Sequence, residues 1–227
     1  MLMNSLPRPP QLEWLKLPGL TEYAPCLELM LLKTQEVISN PLKAFVMLLE
    51  HPDIYTFGSS ASQDDLIGLS DVPIFHTDRG GKATYHGPGQ LIIYPIFHLS
   101  YFDHDIKKYV HFLMQVLVET FLEIGLKATA CSQKIGIWTK IAGANYKLAS
   151  IGIKVKKWVA YHGVSVNLAP DLAKFANIVA CGLKGVGQTS LQKLGYNADS
   201  DNFIDIFKSK FAARLAAFLG SSSIDLN

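Results

Sequence analysis

The sequence predicts an α+β fold, a single domain whose mixed, largely antiparallel sheet is flanked by helices. Short apolar runs of strand length gather in the second half of the chain with no helix between one and the next, so strands and helices do not alternate as βαβ units. Three longer stretches carry apolar residues at helical spacing and stand apart from those runs. The 227 residues, 49% hydrophobic and 18% charged, are enough to bury one full core.

Residues 22–38, EYAPCLELMLLKTQEVI, read as a first helix. It stops before Asn40-Pro41, because proline keeps the residue before it out of helical geometry. KAFVMLLEH, closed by Pro52, and LIIYPIF are too short for helices and read as buried strands. DIKKYVHFLMQVLVETFLEI, from Asp105 to Ile124, is a long amphipathic helix opened by an acidic residue and ended at Gly125. LKATA, KIGIWTK, KLASIGIKV and WVAYHGVSVNL then follow as strands of a meandering sheet. A last helix over about 202–219 precedes a serine-rich tail, and residues 1–10 and 220–227 are expected to fray within one domain spanning 1–227.

Several classes are excluded early. No apolar run approaches the roughly 20 residues of a membrane span, and the first ten residues lack a signal-peptide apolar region, so a cytoplasmic protein without a membrane partner is expected. A net charge of +2 is too small to suggest a nucleic-acid partner, although Lys154, Lys156 and Lys157 cluster on a strand edge. Cys26, Cys131 and Cys181 are widely spaced and form no Cys-x-x-Cys pair, which points to free thiols and to no zinc site.

The most distinctive stretch is RGGKATYHGPGQ, residues 79–90. A phosphate-binding P-loop fails here, because Gly81-Lys82 is followed by Ala83 and the position five before Gly81 is His76. A dinucleotide fingerprint fails too, since Gly87-Pro88-Gly89 leads into a strand-like run and not a helix. What remains is a bare loop whose glycines allow backbone to approach a ligand, with Arg79, Lys82 and His86 as polar handles. Tyr85-His86-Gly87 recurs as Tyr161-His162-Gly163, so two strand ends are expected to line one pocket.

A cysteine is the strongest nucleophile available, but most free cysteines are small buried hydrophobes. Cys26 lies in an amphipathic helix and Cys131 closes an apolar run, so both read as structural. Cys181 differs: Gly182, Gly185 and Gly187 surround it with unobstructed backbone N–H groups that can face a developing oxyanion. A thiol needs an activating partner, and His86, His162 or Lys147 can supply one. Lys147 lies in a strand-like run with Ala149 and Ile151 on its own face, the setting of a desolvated amine.

Taken in order, these pieces form a set. Arg79-Gly80-Gly81-x-x-Thr84-Tyr85-His86-x-x-Gly89-Gln90-x-x-x-Tyr94, Lys147-x-Ala149-Ser150-Ile151-Gly152, His162-Gly163-x-x-x-Asn167 and Cys181-Gly182 resemble the LipB octanoyltransferases of lipoate biosynthesis, as does EHPDIYTFG upstream. The resemblance spans about residues 22–195 and departs at Ala180, where the family usually has proline before its cysteine. It implies the biotin and lipoate protein ligase fold, a cysteine acyl-enzyme at Cys181 partnered by Lys147, and no ATP, metal or other cofactor. It also implies substrate contacts from Arg79, Gly80, Gly81, Lys82, Ala83, Thr84, Tyr85 and His86, from Ser150, Ile151 and Gly152, and from Gly163, Val164 and Ser165. The glycine loop, Gly87 and Gly89 included, would wall a narrow acyl tunnel. The implied donor is octanoyl-acyl carrier protein; the implied acceptors are the lipoyl domains of 2-oxoacid dehydrogenases and the glycine cleavage H protein. Whether Lys147 or a histidine takes the proton in the second transfer stays open. An ATP-dependent ligase on the same fold, a non-catalytic acyl-carrier-binding module and a Cys-His hydrolase are the rival readings.

Overall fold

The two apolar runs expected as buried strands lie side by side as interior strands of the main sheet. The computed structural model describes residues 9–68, 71–179 and 187–220. In chain order its elements are β1 (Gln11–Leu20), α1 (Tyr23–Ser39), β2 (Lys43–Glu50), β3 (Ile54–Phe57), β4 (Ile74–His76), β5 (Ala83–His86), β6 (Gln90–His98), α2 (Ile106–Glu123), β7 (Thr129–Ala130), β8 (Ile137–Ile141), β9 (Ala144–Lys156), β10 (Val159–Asn167), β11 (Gly187–Gln188) and α3 (Ser200–Leu219). The main sheet runs β1-β2-β6-β10-β9-β8-β7, with β11 on β9. Among the described residues only β1–β2 and β9–β11 pair in parallel within it, so the sheet is mixed and largely antiparallel, as the sequence predicts.

Both faces of this sheet are covered, which is why β2, β6 and β10 are almost wholly buried. On one face α2 and α3 pack Phe112, Leu113, Val116, Leu117 and Phe121 with Phe203, Phe207 and Phe211 against Val46, Ile93 and Val164. On the other, α1 sets Met30 and Val37 against Phe45, Ile92 and Tyr161. The acidic residue expected to open α2 is its N-cap: Asp105 accepts from the Lys107 and Lys108 N–H groups at 2.7 and 3.1 Å. Among the described residues no helix is long and apolar enough to cross a membrane.

Some of the chain departs from expectation. β1 carries no strong strand signal because it is an edge strand with Pro18 and Gly19 near its end and one buried side chain, Leu12. A second, three-stranded sheet, β4-β3-β5, was not anticipated, since its strands are three or four residues long and sit among glycines and prolines. It turns the middle of the supposed bare loop, Ala83 to His86, into a strand paired with β3. LKATA and KIGIWTK form strand only at their far ends, because residues 131–136 make a turn in which the Trp138 indole donates to the Lys134 carbonyl at 2.9 Å.

Candidate active site

Strand β9 organises the site. Near its start it pairs with β8 as far as Ala149; farther along, the Gly80 N–H donates to the Ile153 carbonyl at 2.9 Å. Between those contacts Ser150, Ile151 and Gly152 border a cavity of about 500 Å³. Lys147 stands at one end of it. At the other is His162, paired across the sheet with Ile153, so the two ends lie about 20 Å apart along the strands. The glycine-rich loop forms a wall here because nothing larger fits: a Cβ on Gly152 would stand 2.8 Å from the Gly80 carbonyl oxygen.

Arg79, Gly80, Gly81, Lys82, Thr84, His86, Lys147, Ser150, Ile151, Gly152, Gly163, Val164 and Ser165 all border this cavity. Ala83 and Tyr85 do not. Side chains alternate along β5, so while Thr84 and His86 face the cavity, Ala83 and Tyr85 join Tyr55, Phe57 and Phe175 in a separate small core. The Tyr85 hydroxyl donates to Asp53 there at 2.6 Å. Gly87 and Gly89 also lie outside the wall; a Cβ on the first would strike the Tyr85 hydroxyl and on the second the Ala169 carbonyl. The two histidines of the repeated Tyr-His-Gly tripeptide do reach one cavity, His86 from the end of β5 and His162 from within β10.

Lys147 is 2% exposed, and its ammonium nitrogen lies 5.2 Å from the centre of the Trp138 ring. Gly136 lies against the end of this side chain. The far end is polar. His162 Nε2 lies 2.9 Å from Asp78, which also accepts from the Tyr161 hydroxyl. Burial lowers the His162 pKa against the opposing pull of that carboxylate, and its Nδ1 has no partner among the described residues. Burial works to raise the Asp78 pKa, but the Tyr161 and His162 hydrogen bonds prevail and hold it below the usual range. His162 adopts φ +58°, a conformation uncommon outside glycine and found disproportionately at functional sites. Tyr94 lines the cavity with its hydroxyl 3.0 Å from His51 Nε2, and His51 Nδ1 lies 2.6 Å from the Thr21 carbonyl. A carbonyl only accepts, so His51 carries its proton on Nδ1 and its Nε2 accepts a hydrogen bond from the Tyr94 hydroxyl.

The cysteines separate by environment. Cys26 is 2% exposed in α1, and burial pushes its thiol up to about 12; Cys131 Sγ lies 3.6 Å from Gln133 Oε1 in the turn before β8. Cys181 and its neighbours 180–186 lie outside the described residues. The chain on either side is anchored to the cavity wall. The Val179 N–H donates to the Asp65 carbonyl at 2.8 Å, and the Asp65 carboxylate receives Lys82 at 3.2 Å. On the far side Gly187 and Gln188 pair with Tyr146 and Lys147, and the Thr189 N–H donates to the Lys147 carbonyl at 3.0 Å.

Comparison with known proteins decides the family. The model of the lipoyl protein ligase A/B catalytic domain matches residues 22–212. An octanoyltransferase of Rickettsia canadensis is 39% identical over 202 residues, covering 88% of this chain and 97% of its own length. The chain belongs to the octanoyltransferases of that family. Another octanoyltransferase, from Rickettsia felis, is 38% identical over 203 residues with the same two coverages. The fold is shared with the bipartite lipoate protein ligase of Thermoplasma acidophilum at a TM-score of 0.68 and 14% identity, over 96% of this chain and 86% of that one. Octanoyltransferase membership therefore stands on sequence, and the ligase-like architecture on shape.

The sequence reading missed Ile106 and Val110 of α2, the turn residues Gln133 to Ile135, Tyr94 and Ile153, all of which border the cavity. Only Tyr94 had a local signal, four residues after Gln90 within the quoted motif. Asp78, the partner of His162, precedes Arg79 and was equally silent, because its role depends on a strand more than eighty residues away.

Proposed function

We propose that this octanoyltransferase moves an octanoyl group from octanoyl-acyl carrier protein to the ε-amine of a lipoyl-domain lysine, through a thioester on Cys181. The observation that carries the reading is the position of Lys147. It is buried on the cavity wall beside the strand return at Gly187–Gln188, which follows the Cys181 stretch directly in sequence. The glycine-walled cavity runs from Lys147 along β9 and suits a medium-length acyl chain lying between the sheet and the 79–81 loop.

In the first transfer the Cys181 thiolate, favoured by the Lys147 cation, attacks the carrier thioester; the new C–S bond forms, the carrier's C–S bond breaks, and the departing thiolate takes up the Lys147 proton, which leaves Lys147 neutral. In the second, the acceptor amine attacks the acyl-enzyme, a C–N bond forms, the C–S bond breaks, and Lys147 accepts the amine proton. Exchange of one thioester for another is nearly isoenergetic, so neither step calls for ATP. The substrate site consists of the cavity-facing residues of the 79–86, 150–152 and 163–165 stretches. Acceptors are lipoyl domains of 2-oxoacid dehydrogenases and the glycine cleavage H protein, in the cytoplasm; the exposed Lys154, Lys156 and Lys157 suit the acidic surfaces of such partners.

The test is intact-mass analysis after incubation with octanoyl-carrier protein without ATP. A single octanoyl adduct is expected on the parental protein and on Cys26→Ala and Cys131→Ala, and none on Cys181→Ala. An adduct that persists without Cys181, or that requires ATP, overturns the reading.

A further inference from the structure

A continuous file of buried polar side chains runs beneath the cavity, from the glycine-rich wall to the strand return beside Lys147. Asn167 Nδ2 donates to the Thr189 carbonyl at 3.1 Å. Gln90 Nε2 lies 2.9 Å from Asn167 Oδ1, and Gln90 Oε1 lies 2.7 Å from His86 Nδ1. His86 Nε2 is 3.2 Å from Thr56 Oγ1, which receives Arg79 Nε at 3.1 Å and Nη2 at 2.8 Å. All six residues are at least nine-tenths buried.

The two ends fix the direction of every bond between them. A backbone carbonyl only accepts and a guanidinium only donates. Asn167 must therefore turn its NH₂ to Thr189 and its oxygen to Gln90. Gln90 in turn presents NH₂ to Asn167 and oxygen to His86, so the His86 proton sits on Nδ1. Its Nε2 lone pair then accepts from the Thr56 hydroxyl, whose own lone pairs are held by Arg79. Both His86 nitrogens are spent within the file, and no lone pair of this imidazole remains for an acceptor amine.

The file also joins parts that the sheet topology keeps apart. Thr56, Arg79 and His86 belong to the small sheet and its loop, while Gln90 and Asn167 belong to the main sheet and Thr189 directly follows its strand β11. Asn167 grips the return twice, since its own carbonyl accepts the Leu191 N–H at 3.1 Å.

Resting on the transferase reading, we propose that Gln90 and Asn167 are positioning residues. They hold the return at Gly187–Thr189 against Lys147 in register with the glycine-rich wall, and they fix His86 as the Nδ1–H tautomer, which excludes it as the base.

A carboxylate put into this file replaces one donor by an acceptor and breaks that bond, and protonation restores it. In Asn167→Asp the second oxygen faces the Thr189 carbonyl; in Gln90→Glu it faces Asn167 Oδ1. A protonated carboxyl donates through O–H and accepts through C=O, the same pattern as the amide. Burial keeps such a carboxyl protonated above its usual range. The charged or titratable groups around His86 are His51, Tyr23, Arg79 and His162.

Two measurements test the proposal. Without substrate, the ¹⁵N shifts of His86 in the parental protein should report a neutral Nδ1–H ring between pH 6 and 8; an Nε2–H ring, or an imidazolium at pH 6, overturns it. The rate of acyl-enzyme formation, taken relative to the parental protein at each pH, should fall about tenfold or more at pH 8 in Gln90→Glu and Asn167→Asp. It should recover towards the parental rate as pH falls to 5.5, while Gln90→Met and Asn167→Leu stay slow at both. A pH-independent deficit in the carboxyl variants, or parental rates at pH 8, overturns it. Parental acylation at pH 8 separately tests the transferase reading.

Discussion

Gly136 and Lys147 share space that only one of them can fill: a methyl group on Gly136 would stand 2.5 Å from Lys147 Cε and 2.7 Å from the Ala149 carbonyl oxygen. Gly136 also holds φ +143°, which other residues rarely adopt. Gly136→Ala is therefore expected to move the Lys147 amine while leaving the distant core intact. Acyl transfer should fall by more than tenfold with a loss of about 1–3 kcal/mol in stability. Urea unfolding beside single-turnover rates checks this, and unchanged turnover would show that Lys147 can shift without consequence.

Lys147→Arg is expected to separate the two transfers. Arginine keeps a positive charge to favour the Cys181 thiolate but cannot lose its proton to serve as base. Acyl-enzyme should still form, slowed by a larger group in a closed space, and its transfer to a lipoyl domain should drop by about 100-fold to 10,000-fold. Lys147→Met should impair acylation itself. Rapid-quench mass analysis of adduct formation and decay distinguishes them; parental transfer by Lys147→Arg would leave Lys147 an electrostatic partner only.

Glycines of the 79–90 stretch and its surroundings should divide into two groups. Gly152→Val places side-chain atoms between β9 and the Gly80 carbonyl, where the cavity wall closes, so the 79–81 loop must shift off β9 and acylation should fall more steeply than melting temperature. Gly87→Val and Gly89→Val meet the Tyr85 hydroxyl and the Ala169 backbone away from the cavity and should lower the melting temperature first. Loss of acylation without destabilisation at Gly87 would return that glycine to the acyl wall.

These contrasts mark what could be read in the chain. The helices and the central strands were legible because β2, β6 and the 3.6-residue pattern of α2 each announce themselves within one segment. The cavity-facing glycines, Lys147 and both histidines were found through an ordered set of motifs. What stayed hidden were pairings across long sequence separations. Nothing local reveals that Gly80 docks on Ile153, that Asp78 meets His162, or that Ala83 and Tyr85 turn away from the cavity once β5 pairs with β3. A loop reading gives every residue of 79–86 to one ligand; the alternation of a four-residue strand divides Ala83 to His86 between two sides.

Acid should destabilise this fold from near neutrality, with His51 as a main contributor. Buried against Tyr23 and Tyr94 and 5.8 Å from the His86 ring, His51 has its pKa lowered by burial from 6.5 to about 4, against the opposing effect of its bond to the Thr21 carbonyl. Between about pH 6.5 and 4 the unfolded chain binds this proton and the folded protein does not, so stability declines with falling pH across that window and levels off below it. One group displaced this far is worth up to about 3 kcal/mol at the acid limit. His86 and His162, also lowered by burial, add to the same trend. His51→Gln offers an amide hydrogen to Thr21 and an oxygen to Tyr94 without a titrating group. Its urea midpoint should therefore fall less than the parental one between pH 7 and pH 5, a range above most carboxylate titration. Equal losses in both proteins would remove His51 from the account and leave the acid sensitivity to His86 and His162.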